Sequence, residues 1–171
     1  MGIGEPRATT GGEGATVTSL RTERSSPFDD LYRSELAGLV RTATLIVGSR
    51  PIAEELVQDA FVRVHAKWEG IDNPPAYARR AVVNACRSHL RRRALERRHL
   101  GTLSVEVAEL EARELLDALA ELPVKQRAAV VLRFYAGLSE RETAEAMGCP
   151  TGTVGSLVHR ALAILRTRID R

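Results

Sequence analysis

Aromatic residues make up only 4% of this 171-residue sequence, and Cys86 and Cys149 are its only cysteines. So few aromatics leave any core to Leu, Val and Ala, which suits helices better than sheets, and the 44% hydrophobic content is enough to fold. The two cysteines are far apart and lack CxxC spacing, so they form no zinc motif and fit buried thiols in a reducing compartment. No apolar run approaches the ~20 residues that cross a bilayer. The first 26 residues lack the apolar core of a signal peptide, so a cytoplasmic protein without membrane insertion is expected. Lysine is nearly absent as well: Lys67 and Lys125 stand against 23 arginines. No phosphate-cradling Gly-rich loop, metal-ligand cluster or nucleophile–base pair is visible, so neither an enzyme nor a metal or other cofactor is expected.

What is present is charge, unevenly placed. The net charge of +3 says little, but between Arg79 and Arg98 eight arginines face one acid, Glu96, a surplus of +7. From Val105 to Leu122 six acids face Arg113, a deficit of −5. A dipolar chain with one dense arginine block points to a polyanion as partner.

Residues 1–27 are rich in Gly, Thr and Ser with cancelling charges, and read as a flexible tail. The remaining ~140 residues have room for one ordinary domain or two small ones. Phe28, Tyr32, Leu36, Leu39, Ala43 and Val47 recur at helical spacing, and Gly48-Ser49-Arg50-Pro51 ends that helix and starts the next. Ala53, Val57, Ala60, Phe61, Val64 and Trp68 form a second stripe, and the turn Asp72-Asn73-Pro74-Pro75 opens a third helix at about Pro75. Three amphipathic helices with short connectors predict a small bundle over 28–93. Residues 94–109 read as a linker, and 110–171 as a second helical unit. In that unit Val107, Leu110, Leu115, Leu119 and Leu122 form one stripe, and Pro123 opens a helix reaching about Tyr135. The fold class is therefore all-α, with two small helical domains.

Two constellations carry chemistry. On the third helix, Arg80, Asn84, Arg87 and Arg91 follow at steps of four, three and four, which aligns three guanidiniums and an amide on one side. Arginine forks pair with phosphate or guanine edges and asparagine with adenine, whereas a merely solvated face would mix Glu with Lys. Ala78, Val82, Ala85 and His89 lie on the inner strip, where His89 reads as a partly buried helix residue. The second constellation is Leu138-Ser139-Glu140-Arg141-Glu142-Thr143-Ala144-Glu145-Ala146-Met147-Gly148-Cys149-Pro150 with Thr151-Gly152-Thr153-Val154. Ser139 and Glu142 fit a capping box, Gly148 fits a left-handed helix end, and Pro150 stops continuation. A further helix starts at Thr151 or Gly152, with Val154, Val158, Ala161, Leu162 and Leu165 facing inward. This is a helix-turn-helix by spacing, and Gly152, Thr153, Ser156, His159 and Arg160 lie on its outward, groove-sized face.

In this order the two constellations resemble the extracytoplasmic-function (ECF) sigma factors of bacterial RNA polymerase, and among them the actinobacterial SigE-like group. The matching residues are Ala53-Glu54-Glu55-Leu56-Val57-Gln58-Asp59-Ala60-Phe61, Asn73-Pro74-Pro75-Ala76-Tyr77 with Asn84 and Arg91-Arg92-Arg93, and a third stretch from Leu119 to Arg160. The resemblance implies a sigma-2 domain at 28–93 and a sigma-4 domain at 110–171. Glu55, Gln58 and Asp59 would then dock on the beta-prime clamp of core RNA polymerase, and the fourth domain on its beta flap. Asp72, Asn73, Arg80, Asn84, Arg87 and Arg91 would hold the minus-10 element of promoter DNA. Arg127, Gly152, Thr153, Ser156, His159 and Arg160 would read the minus-35 element. The acidic linker would follow the RNA path, and an anti-sigma factor is a candidate further partner. Two departures stand out. Gly155 and Leu157 occupy positions where relatives carry Lys or Arg, and Thr143 replaces a large aliphatic, which predicts a looser helix-turn-helix core. The alternative reading is a free-standing helix-turn-helix regulator. The acidic segment beside the basic helix further predicts that the free chain folds its halves together, hiding its DNA faces.

Overall fold

The computed structural model describes residues 25–97 and 110–169; most of the expected tail and linker lie outside the described residues. The first helix, α1, spans Pro27–Val47. Its start is set by a reciprocal cap. Ser26 Oγ accepts from the Asp29 N–H at 3.1 Å, and the Asp29 carboxylate accepts from the Ser26 N–H at 3.1 Å. It ends where Gly48 turns left-handed at φ 78° and donates its N–H to the Thr44 carbonyl, as the sequence predicts. Helix α2, Arg50–Ala66, follows at once, and a short 3-10 turn at Trp68–Gly70 leads into the connection to α3, Pro74–Arg97. Asn73 Oδ1 accepts from the Ala76 N–H at 3.1 Å and so caps α3.

These three helices pack on one another around Ile46, Val57, Val64, Val82 and Cys86. The expectation of purely aliphatic packing needs correction at one end. There Phe28 meets Phe61, His65 and Trp68 edge-on at 6.2, 4.7 and 5.4 Å, and Tyr32 meets Phe61 at 4.9 Å. Most of the chain's scarce aromatics are thus spent on one aromatic corner. Helix α3 also runs on through Arg97, past Ala94 where the linker was expected to start. Ala94, Leu95 and Glu96 favour helix, and no breaker precedes Gly101.

The second half comprises α4 (Leu110–Glu121), α5 (Val124–Val130), α6 (Glu140–Met147) and α7 (Thr151–Ile169). Pro123 stands at the α5 cap, and the helix it opens does reach Tyr135. Its last stretch, Val131–Tyr135, is one π-helical turn in which the Ala136 N–H bonds the Val131 carbonyl. Leu119, Leu122, Leu132, Val154 and Ala161 are buried. Leu115, expected on the same stripe, is instead half-exposed, and with Leu116 and Tyr135 it lines a groove against Leu36 and Val40 of α1. Among the described residues there is no strand.

The two halves pack together. Helix α3 lies against α6, and α1 against the π-helical turn. A single hydrophobic cluster joins them, with Val83 and Leu90 of α3 and Ala146 and Met147 of α6 among its members. Neither Val83 nor Leu90 stands on the inner strip read from the sequence, yet both are buried. The halves do pack together, through apolar packing and arginine–carbonyl bonds among the described contacts, but the expected hiding of the DNA faces is not seen: Arg80, Asn84, Arg91, Gly152, Ser156, His159 and Arg160 stay exposed. Arg98 and residues 105–109 of the charge map lie outside the described residues.

Candidate nucleic-acid interface

Along α3, Arg80, Asn84 and Arg91 are exposed and Arg87 is half-buried. The spacing read from the sequence therefore does bring this set onto one side of one helix. Asn84 and Arg80 border a small depression with Tyr77 and Ala81. Asn84, Arg87, Ser88 and Arg91 border a second, closed on its other side by Val124 and Lys125 of α5. Two cationic clefts thus lie end to end along the helix, lined by donors suited to phosphate and base edges. The arginine block also acts on its neighbour: burial first, then Arg93 and Arg92, hold the His89 imidazole below its ordinary range, which favours its neutral form. Its Nε2 is buried without a hydrogen-bond partner among the described residues, which fits a packed helix histidine.

Asp72 and Asn73 sit exposed in the connection before α3. Asn73 is partly committed to its capping role, which fixes the loop against the helix. Beside this loop opens a broad depression of about 960 Å³, lined among others by Phe28, His65, Lys67, Trp68, Ile71 and Tyr77. Sequence reasoning did not single out Trp68, Lys67 or Tyr77 for binding. The signal was available: an indole and a phenol flank the loop, and a lysine stands next to the indole, a combination that stacks and holds an unpaired base.

On α2, Glu55, Gln58 and Asp59 are all exposed on one side. Val62, one turn further and 67% exposed, continues that side and was not singled out from the sequence.

The helix-turn-helix forms as its spacing predicts. Ser139 Oγ accepts from the Glu142 N–H at 3.2 Å while the Glu142 carboxylate accepts from the Ser139 N–H at 2.9 Å. The hydrogen bonds from the Ser139 hydroxyl and N–H, with Arg79 and Arg141 nearby, hold the Glu142 carboxyl below its usual range. Gly148 adopts φ 63° at the end of α6, and Pro150 separates it from α7. On α7, Gly152, Ser156, His159 and Arg160 are exposed and Thr153 is half-buried, so the outward face is presented together. Arg160 Nε is held by the Ser156 carbonyl at 3.1 Å, which lays the side chain along the helix.

Three further residues singled out in the sequence find their places here. Leu157, which stands where relatives carry Lys or Arg, is 7% exposed and belongs to the core. It stands three residues after Val154 and four before Ala161, both fully buried, so it completes their stripe. Thr143, which stands where relatives carry a large aliphatic, is fully buried, and its Oγ1 lacks a hydrogen-bond partner among the described residues. Arg127 lies on α5, the helix that Pro123 opens, and its guanidinium donates to the carbonyls of Ile46, Ala120 and Leu122 at 2.8, 2.9 and 3.2 Å.

Comparison with known proteins decides between a polymerase subunit and a free-standing regulator. Residues 31–96 match Sigma-70 region 2, and residues 112–165 match Sigma-70, region 4. The RNA polymerase sigma-E factor of Streptomyces avermitilis is 36% identical over 152 residues, covering 84% of this chain and 85% of that relative. The ECF RNA polymerase sigma factor SigM of Mycobacterium tuberculosis is 34% identical over 146 residues, covering 81% and 74%. The chain is an ECF sigma factor. The fold of this sigma factor agrees with solved relatives across both halves. The sigma factor RpoE of Bartonella quintana, solved in complex with the anti-sigma factor NepR, matches with a TM-score of 0.72 at 28% identity, over 84% of this chain and 98% of that one. CnrH, solved with the cytosolic domain of CnrY, shares the fold at a TM-score of 0.66 and 24% identity, over 84% and 87%. In the sigma factor described here, region 2 accounts for the α3 strip and region 4 for the helix-turn-helix. No described helix is long and apolar enough to cross a membrane.

Proposed function

We propose that this ECF sigma factor is a non-catalytic, dissociable subunit that gives core RNA polymerase its promoter specificity in the cytoplasm. Glu55, Gln58 and Asp59 bind the beta-prime clamp, with Val62 extending that contact, and the fourth domain engages the beta flap. Arg80, Asn84, Arg87 and Arg91, with Asp72 and Asn73 in the preceding loop, take the minus-10 element as a melted strand. Gly152, Thr153, Ser156, His159 and Arg160 read the minus-35 element as duplex, with Arg127 as a flanking phosphate contact. The domains carrying these tasks are 28–93 and 110–171, joined by the segment 94–109, which follows the RNA path. An anti-sigma factor is a further partner, a reading supported by the NepR complex of the 28%-identical RpoE.

The observation that carries the reading is the pairing of two unlike surfaces on one chain. One is a dense guanidinium strip beside a loop with an aromatic-lined depression, suited to unstacked bases. The other is a helix-turn-helix whose exposed face bears short polar groups, suited to a major groove. A free-standing repressor needs only the second. Run-off transcription tests the proposal: purified chain added to core polymerase on genomic fragments is expected to give discrete start sites that share minus-10 and minus-35 sequences. Failure of the chain to bind core polymerase, or transcripts independent of it, sinks the proposal.

A further inference from the structure

The outward face of α7 is bare along one edge. Gly155 and Ser156 stand three and four residues after Gly152, and four and three before His159, so the four form one patch. Gly152 and Gly155 give that patch no side chain, and the edge at Gly155 borders the first turn of α6. There Glu140 Oε1 stands 3.8 Å from the position a side chain on Gly155 would take. An exposed carboxylate of α6 thus fills ground that α7 leaves empty. Arg160 lies on the opposite side of the patch, its Nε bonded to the Ser156 carbonyl. The face is therefore bounded by an acid on one side and a cation on the other.

The fold makes little use of the Glu140 carboxylate beyond its favourable place in the first turn of α6. Glu142, two residues on, closes the capping box with Ser139. The adjacent cation, Arg141, turns to Glu145 at 3.9 Å. Among the described residues Glu140 takes part in no ion pair and no side-chain hydrogen bond. Charge then decides what such an edge accepts. A carboxylate repels phosphate and offers acceptors only, so it suits a base edge that presents a donor. In the major groove cytosine shows its N4 amino group alone. Adenine sets the N7 acceptor beside its N6 donor, and guanine and thymine present acceptors. Cytosine is the base that meets a carboxylate without an opposing lone pair.

We propose that Glu140 is a specificity-determining residue of the minus-35 contact, selecting cytosine at the edge where Gly152 and Gly155 leave α7 bare. Reading is then shared by both helices of the helix-turn-helix. The two glycines let a base edge come close enough to α7 for a carboxylate on α6 to reach it. The proposal rests on reading α7 as the duplex contact.

The test uses reconstituted holoenzyme and a promoter mapped by run-off transcription. Competition binding is measured on duplexes carrying each of the four base pairs at each position of the minus-35 element. The parent is expected to prefer cytosine at one position, on the order of tenfold. Glu140→Ala levels the four bases there and leaves the other positions as they were. Glu140→Gln moves the preference to adenine, because an amide both donates and accepts. Gly155→Lys meets only ordinary contact, sets an ammonium beside the carboxylate and weakens the same preference. Thermal melting confirms that each variant folds, and a merely structural Glu140 would shift melting without moving the preference at any single base. A base profile shared by parent and Glu140→Ala overturns the proposal. So does a uniform gain of affinity on every duplex, which marks Glu140 as a repeller of phosphate only. In either case an altered profile in Ser156→Ala shows that duplex reading by α7 stands while the role of Glu140 falls.

Discussion

At the scale of single residues, burial decides reactivity and cost. Cys86 is fully buried, and burial pushes its thiol up to about 12, whereas Cys149 is half-buried in the helix-turn-helix turn. The thiolate is the reacting species, so iodoacetamide at mildly alkaline pH is expected to label Cys149 and to spare Cys86 until the chain unfolds. Mass spectrometry of the alkylated chain checks this, and equal labelling of both in the native state contradicts it. Thr143 fills its core position but desolvates a hydroxyl without a described partner. Thr143→Val keeps the shape and removes that hydroxyl, so a gain of about 1 kcal/mol is expected in urea unfolding. A loss of similar size would mean that the hydroxyl is bonded after all.

At the scale of elements, α6 depends on its first turn. Ser139→Ala removes the acceptor for the Glu142 N–H and one partner of its carboxylate, a cost of about 1 kcal/mol in stability. The cap also has a pH signature. Glu142 is held below its unfolded value of 4.5, so its contribution is complete above that value and fades as pH falls through the lower folded value. Thermal melts of parent and Ser139→Ala are therefore expected to differ near neutrality and to converge on acidification. A difference that grows in acid would contradict the cap. On α2 the expected division is different: Gln58→Ala with Asp59→Ala leaves melting unchanged, because both side chains are exposed, but weakens co-elution with core polymerase. Undiminished co-elution would remove α2 from the polymerase contact.

At the scale of the whole molecule, helices, caps and the two exposed polar helix faces were legible because each is written in local spacing. The capping box at Ser139, the left-handed Gly148 and the four-three-four arginine strip needed no distant partner to be read. What was misread depends on long-range packing. Val83 and Leu90 were left off the inner strip, although they are buried in a cluster that spans both halves, and Arg127 looked available because its acceptor, Ile46, lies 81 residues away. Leu157 is the exception: it was left off the inward stripe although its three- and four-residue spacing to Val154 and Ala161 was sufficient to place it there. Closure was legible from charge, but the bonds that hold it are cation-to-carbonyl, which a count of charges does not reveal.

On the proposed function, one chain melts DNA with one surface and reads duplex with the other. Permanganate footprinting of unpaired thymines, on a promoter mapped by run-off transcription with reconstituted holoenzyme, tests it most directly. Arg80→Ala and Asn84→Ala are expected to lower thymine reactivity at the minus-10 element on the order of tenfold while the holoenzyme still forms and still occupies the duplex. Ser156→Ala and Arg160→Ala are expected to weaken promoter occupancy by about 1–3 kcal/mol, with unchanged reactivity per bound complex. Equal loss of occupancy and reactivity in all four variants would contradict the division of labour.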